Sequence, residues 1–364
     1  MLAPIEIAGR RIRYPIVQGG MGIGVSQLRL SGAVSKLGGL GILSSIALDR
    51  IIKRRTGLKL KTRAATAYEV EATRDAGGIC GMNIMVTPGS YYEERIKGAL
   101  DGKADFIFSG AGLPMTLAAI AREHDPKSDT GLVPIVSSAR ALELICRRWE
   151  RHGVRPAAAV LEGPLAGGHL GWKTREEIEA PENQLERLLP PVLEAAAAHG
   201  GFPVIVAGGV YTHEDIKSWL AAGASAVQMG TRFLATEESD ASPAFKEAVI
   251  KATADDLYVT IDPGSPCGFP FRVIRFSPMW QDQLNNARPV NCDKGYILAY
   301  GGCVARDDPT KAFCICNGLL AAVGYNDDEE NPLFTAGMNV GRVDRIMPVA
   351  ELMAELTGES QPTG

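Results

Sequence analysis

Through the first 240 residues, short apolar runs, β-branched or flanked by glycine, alternate with longer stretches of helical period. Eight such runs stand out: 15–19 (PIVQG), 39–43 (GLGIL), 81–86 (GMNIMV), 104–109 (ADFIFS), 132–137 (LVPIVS), 157–162 (AAAVLE), 203–207 (PVIVA) and 224–229 (ASAVQM). Runs that are apolar throughout suit parallel strands buried on both faces, and their alternation with helices marks repeated βα units. The intervening periodicity predicts helices over 26–37, 62–76, 91–100, 113–123, 139–152, 183–199, 213–222 and 243–253. Thr212 stands before HEDIKSWLAAG as an N-cap, with Glu214 and Asp215 in the first turn and Gly223 as the stop. Eight strands are what a closed α/β barrel requires, so the expected architecture is a (β/α)8 TIM barrel. An open doubly wound sheet would show similar strands, and the strand count decides between the two.

From 254 to 330 the alternation stops. This segment holds Pro263, Gly264, Pro266, Gly268, Pro270 and Pro278, and five of the seven cysteines lie after residue 260. An amphipathic stretch over 349–356 follows. The expected organisation is a barrel over 1–253, an irregular Cys/Pro/Gly-rich excursion or lid over 254–330, and a C-terminal segment, 331–364, packing back on the barrel.

With 46% hydrophobic and 22% charged residues, the chain can build a large core and lacks the signature of disorder. A net charge of −4 supplies no general attraction for nucleic acid or an anionic membrane. There is no uninterrupted apolar run of about 18 residues, and Glu6, Arg10, Arg11 and Arg13 interrupt the start where a signal peptide would need its apolar core. These features predict a cytoplasmic protein acting on a small-molecule substrate, as a homodimer, without a nucleic-acid or membrane partner. An odd number of cysteines argues against a secreted disulfide framework. Seven Lys or Arg and no acid lie between Arg50 and Arg63. That run reads either as a solvated connection or as a docking patch for an anionic substrate such as a thioester carrier.

The local chemistry gathers at strand ends. The seventh run leads into Gly208-Gly209 and the eighth into Gly230-Thr231. In a barrel those turns are neighbours on the C-terminal face, where backbone N–H groups and a hydroxyl can bind phosphate. Glycine lets the backbone come close to the oxygens. After the sixth run, LEGPLAGGHLG embeds His169 among glycines, where a flat cofactor could approach it. Histidine titrates near neutrality and can give or take a proton. The first run ends in Gln18-Gly19-Gly20-Met21, and Asn83 lies in the third; a carboxamide can bond the polar edge of a heterocycle and Met21 can lie against a ring. Cys292, Cys303, Cys314 and Cys316 could ligate zinc or an iron–sulfur cluster, but their C-x10-C-x10-C-x-C spacing matches no compact pattern. Cys80, Cys146 and Cys267 read as structural. No Walker lysine motif, complete dinucleotide fingerprint or HExxH occurs.

Taken together, QGGM at 18–21, Asn83, AGGHLG at 166–171, AGGV at 207–210 and QMGTRFL at 228–234 resemble the nitronate monooxygenase (2-nitropropane dioxygenase) family of FMN-dependent barrels. Its sister group is the FMN-dependent enoyl-ACP reductase II. The likeness covers roughly 14–236. It implies an FMN-dependent oxidoreductase with the phosphate on Gly208, Gly209, Gly230 and Thr231. It also implies Gln18, Gly20, Met21 and Asn83 near the ring, Glu162 and Gly168 beside it, and His169 as the catalytic histidine. Alkyl nitronate oxidation with O2 is the implied reaction; NAD(P)H-dependent reduction of an enoyl thioester or a quinone is the alternative, and non-catalytic FMN binding is the weakest reading. Many nitronate monooxygenases carry Pro where this chain has Gly20, and the Gly19-Gly20-Met21 form is closer to the reductase group.

Overall fold

The computed structural model describes residues 2–87, 90–285, 303–308, 312, 315–325 and 330–359. Eight parallel strands close into one barrel: β1 (Ile16–Gln18), β2 (Leu40–Ser44), β3 (Cys80–Met85), β4 (Phe106–Gly110), β5 (Gly131–Val136), β6 (Ala159–Glu162), β7 (Val204–Ala207) and β8 (Ala226–Met229). Each of the eight apolar runs supplies one strand, shifted by a residue or two at its ends. Closure is made by β8 on β1, where Val17 registers with Gln228 and Gln18 with Met229.

Phe106, Phe108, Val133, Val160 and Ile205 fill the barrel interior and are at most 1% exposed. A short antiparallel hairpin, Ile5–Ile7 with Arg10–Ile12, precedes β1, and its Ile7 and Ile12 join that interior cluster. The hairpin therefore stoppers the end of the barrel where the strands begin. Outside the strands, the surface helices carry the caps that the sequence announces. Thr212 accepts from the Asp215 backbone N–H, Asp215 reciprocates, and the helix His213–Ala221 ends before Gly223 at φ +104°.

Among the helices outside the expected set, one bears on the basic run. Leu48–Thr56 lies within the basic run and buries Leu48, Ile51 and Ile52, which repeat at helical spacing among the cations. Of those cations, Arg55 pairs with the buried Glu69, Arg63 with Asp101, and the Arg54 guanidinium lies over the Tyr325 ring. Much of the run is thus held locally.

The chain beyond 253 supplies β9 (Leu257–Thr260) and β10 (Phe271–Ile274), an antiparallel pair. Strand β10 also pairs with a two-residue strand, Gly168–His169, in the loop after β6. The helices Pro278–Leu284 and Cys316–Ala321 pack Met279, Trp280, Leu319 and Leu320 against Ile23 and Ile46 from the loops after β1 and β2 and Ile51 from the helix Leu48–Thr56. Late chain and early loops share one apolar cluster over the barrel mouth. The last helix, Val349–Thr357, buries Leu352 and Leu356 and packs on the helices Leu28–Lys36 and His213–Ala221. Among the described residues, no helix is long and apolar enough to cross a membrane.

Candidate active site

A cavity of about 950 Å³ opens at the C-terminal ends of the strands. Its wall includes Gly20, Met21, Asn83, Glu162, Gly168, His169, Gly208, Gly209, Gly230 and Thr231, so the structure brings these ten sequence candidates together. Gln18 is the exception. Its carboxamide is fully buried beneath the β1 loop: Nε2 donates to Ser26 Oγ at 2.9 Å, and Oε1 accepts from Ile42 N and Ser31 Oγ at 3.2 Å each. Both ends of the Gln18 carboxamide are thus engaged by protein groups that hold the loop, off the cavity wall.

On one side, the glycines are required by geometry. Gly208 and Gly209 sit at φ +94° and +83°; a Cβ on Gly208 would lie 3.0 Å from Ala166 N, and one on Gly209 2.8 Å from Leu165 Cδ1. The turn is therefore closed to side chains and presents bare backbone. Next to it, Thr231 Oγ1 accepts from Gly337 N at 2.9 Å and keeps its own proton to donate. Asn339 Nδ2 donates to Gly209 O. Gly20 approaches Asn83 so closely that a Cβ would fall 2.4 Å from Asn83 Cβ, and Asn83 Nδ2 donates to Gly20 O at 2.8 Å. Met21, Ile23, Met85, Phe108 and Leu319 make an apolar flank, while Ser44 and Gln228 add polar edges. A bare-backbone turn with a hydroxyl at one end and a flat apolar slot at the other fits a planar ligand that carries a phosphate.

The end of β6 and the loop after it, which also touches the Gly208-Gly209 turn, hold the titrating groups. The Gly168–His169 strand is pinned by β10, by Gly168 N donating to Thr335 Oγ1 at 2.9 Å, and by Leu170 N donating to Pro270 O at 3.0 Å. The His169 ring meets Phe271 edge-on, with centroids 4.9 Å apart at 77°. Its Nε2 lies 2.9 Å from the Sγ of Cys267, in the turn joining β9 to β10. Burial alone would push the imidazole down, but the adjacent Cys267 and then the Glu162 charge raise it above its ordinary value. Burial lifts the Glu162 carboxyl to about 7, with His169 and Arg272 pulling against that rise. Arg272 is itself buried and lowered to about 10 by desolvation, against the pull of Glu162. Its guanidinium donates to the carbonyls of Ala166 and, at 2.9 Å, Pro164, so a buried cation clamps the loop that carries His169.

Cys267 and Arg272 are the residues sequence reasoning missed, since Cys267 looked structural and Arg272 drew no attention. Their role depends on a hairpin about a hundred residues downstream pairing with the His169 strand. Of the proposed cysteine cluster, Cys292 and Cys314 lie outside the described residues, whereas Cys303 and Cys316 are buried. Among the described residues no group of three or more His, Cys, Asp or Glu is arranged to hold a metal ion.

A parallel eight-stranded barrel whose glycine-lined mouth holds a half-buried histidine and carboxyl on one cavity wall is the architecture of an α/β-barrel enzyme. The nitronate monooxygenase family model matches residues 5–359, and the chain belongs to that family. It is 31% identical over 294 residues to a nitronate monooxygenase of Pseudomonas aeruginosa, covering 72% of this chain and 78% of that one. It is equally 31% identical over 271 residues to the (3aS,4S,5R,7aS)-5-hydroxy-7a-methyl-1-oxo-octahydro-1H-indene-4-carboxyl-CoA dehydrogenase of Mycobacterium tuberculosis. That match covers 72% of this chain and 64% of the relative, less than two thirds of the relative's length. Among solved structures, FabK from Thermotoga maritima superimposes with a TM-score of 0.69 at 28% identity, over 95% of this chain and 92% of that one.

Proposed function

We propose that the chain is an FMN-dependent monooxygenase that oxidises alkyl nitronates with O2. The observation that carries this reading is the single cavity in which the bare Gly208-Gly209 turn and the Thr231 hydroxyl face the same space as His169. Gly208, Gly209, Gly230 and Thr231 would hold the FMN phosphate, and Gly20, Met21, Asn83 and Gly168 would border its ring. Bound there, FMN supplies the electron exchange between substrate and oxygen.

The remaining work falls to the chain. His169 in its charged form, which its neighbours favour, orients the anionic nitro group; in its neutral form it takes the proton of a neutral nitroalkane at the carbon beside that group. Glu162, protonated up to about pH 7, adds no opposing negative charge to an arriving anion below that value. The apolar cluster of the late chain keeps water from the mouth.

Similarity to FabK and to a CoA-thioester dehydrogenase favours a second reading, reduction of an enoyl thioester at the expense of NAD(P)H. In that case His169 polarises the thioester carbonyl. An anaerobic absorption spectrum, followed by separate additions of propyl nitronate and NADH, distinguishes the two. Bleaching of a flavin band by nitronate and its return on air is the expected result. Bleaching by NADH alone transfers the assignment to the reductase, and a protein that takes up no FMN overturns both. His169→Ala is expected to retain FMN while slowing turnover by roughly a hundredfold or more; unchanged turnover removes His169 from the mechanism.

A further inference from the structure

Three features meet at the turn between β9 and β10. Cys267 Sγ lies 2.9 Å from His169 Nε2, on the imidazole that lines the cavity. Ser265, buried, donates its hydroxyl to Phe269 O at 2.8 Å and stands 3.3 Å from the same sulfur, while Gly268 N donates to Ser265 O at 2.9 Å. The turn is thereby fixed in one shape, and its sulfur is aimed at the histidine. The four other described cysteines, Cys80, Cys146, Cys303 and Cys316, are buried, whereas Cys267 is partly exposed and meets His169 directly.

We propose that Cys267 is a positioning residue for His169, engaging Nε2 as a thiolate and so keeping the imidazole both charged and fixed in its place on the wall. This rests on the reading of His169 as the group that acts on substrate. The titratable groups turned towards His169 are Cys267, from the β9–β10 turn, and Glu162, from the end of β6; Arg272 on β10 acts on Glu162. Burial disfavours each charge alone, but two opposite charges in contact stabilise one another. Accordingly the thiol, which burial would raise, is drawn below its ordinary value first by the His169 charge and then by the hydrogen bonds of His169 and Ser265. Glu162 supports the same charge on His169 from the other side, but only once it has lost its own proton. Below about pH 7, Cys267 therefore carries the task.

The test has two arms on the full-length protein. In the first, ultraviolet thiolate absorbance is titrated as the difference between wild type and Cys267→Ser, with iodoacetamide labelling of each cysteine read by mass spectrometry. In that reaction the thiolate attacks the iodomethylene carbon, the C–S bond forms and iodide leaves. The thiolate is expected to persist at pH 7, and Cys267 to label at pH 6 at least tenfold faster than it does in His169→Asn. A thiolate that appears only at the ordinary thiol value of about 8.5, or labelling indifferent to His169→Asn, overturns the proposal. This arm needs no turnover, so its result holds whichever substrate the enzyme uses.

The second arm follows kcat against pH. Cys267→Ala is expected to keep its flavin and its KM, lose at least tenfold in kcat and move the limb belonging to His169 to lower pH. Cys267→Asp, which restores an anion, is expected to return that limb, and neutral Cys267→Ser is not. A Ser variant equal to wild type would show that charge plays no part and would sink the idea.

Discussion

Glu162 ends β6 facing the cavity, and its chemistry follows from its surroundings rather than from its type. A carboxyl that keeps its proton up to about 7 is protonated in the native state over a range in which the unfolded chain has already ionised. Because the native state then binds more protons than the unfolded one, stability falls as pH rises from the ordinary carboxyl range through about 7. His169, also raised, loses its contribution in the same direction. Glu162→Gln is expected to flatten this decline, so that at pH 8 it melts roughly 2–4 °C above wild type while matching it near pH 4. Parallel melting curves across that range would remove the buried carboxyl as the cause. At this scale the sequence was legible where glycine surrounds a functional group, as around His169. It was silent where function depends on contact across the fold: Cys267 sits in a proline-rich turn that gives no hint of its partner. Gln18 shows a related limit, because a carboxamide at a strand end serves its own loop as readily as a ligand.

Among the elements, the strands were the most readable because burial on both faces leaves an uninterrupted apolar run. The helix Leu48–Thr56 was hidden by its cations: three buried residues at helical spacing suffice to anchor it, and the rest of the run is polar. The antiparallel β9–β10 pair escaped because strands of four residues joined by a Pro/Gly-rich turn carry little periodicity, and the partner on the His169 loop is only two residues long. The β7 turn was readable in its glycines, and its conformation now gives them a testable weight. Gly208→Ala places a Cβ at φ +94° and 3.0 Å from Ala166 N. A stability loss of about 1–2 kcal/mol is expected from the left-handed backbone. FMN affinity is expected to fall at least tenfold, as read by flavin fluorescence titration. Wild-type affinity in a folded variant would move the phosphate away from this turn.

For the whole molecule, the strand count announced closure correctly, and closure is what sets neighbouring turns from β7, β8 and β1 around one cavity. What the pattern could not announce is how the late chain is used. Rather than standing apart, it lends a strand to His169, a threonine to Gly168, an asparagine to Gly209 and an apolar cover to the loops after β1 and β2. The long-range contacts that do this have no local signature, which is why composition alone made the segment look irregular.

The hairpin at the start of the chain has a bearing on kinetics. With Ile7 and Ile12 filling the barrel's far end and packed side chains filling its middle, the described residues leave the cavity to be approached from the barrel mouth and not through the barrel. In the proposed reaction a nitronate that is to receive an oxygen atom from O2 must still be in the mouth when O2 arrives. Initial rates measured against both co-substrates are therefore expected to give intersecting double-reciprocal lines, the mark of a ternary complex. Parallel lines, the mark of a ping-pong sequence, would mean that the nitronate leaves as product before O2 enters.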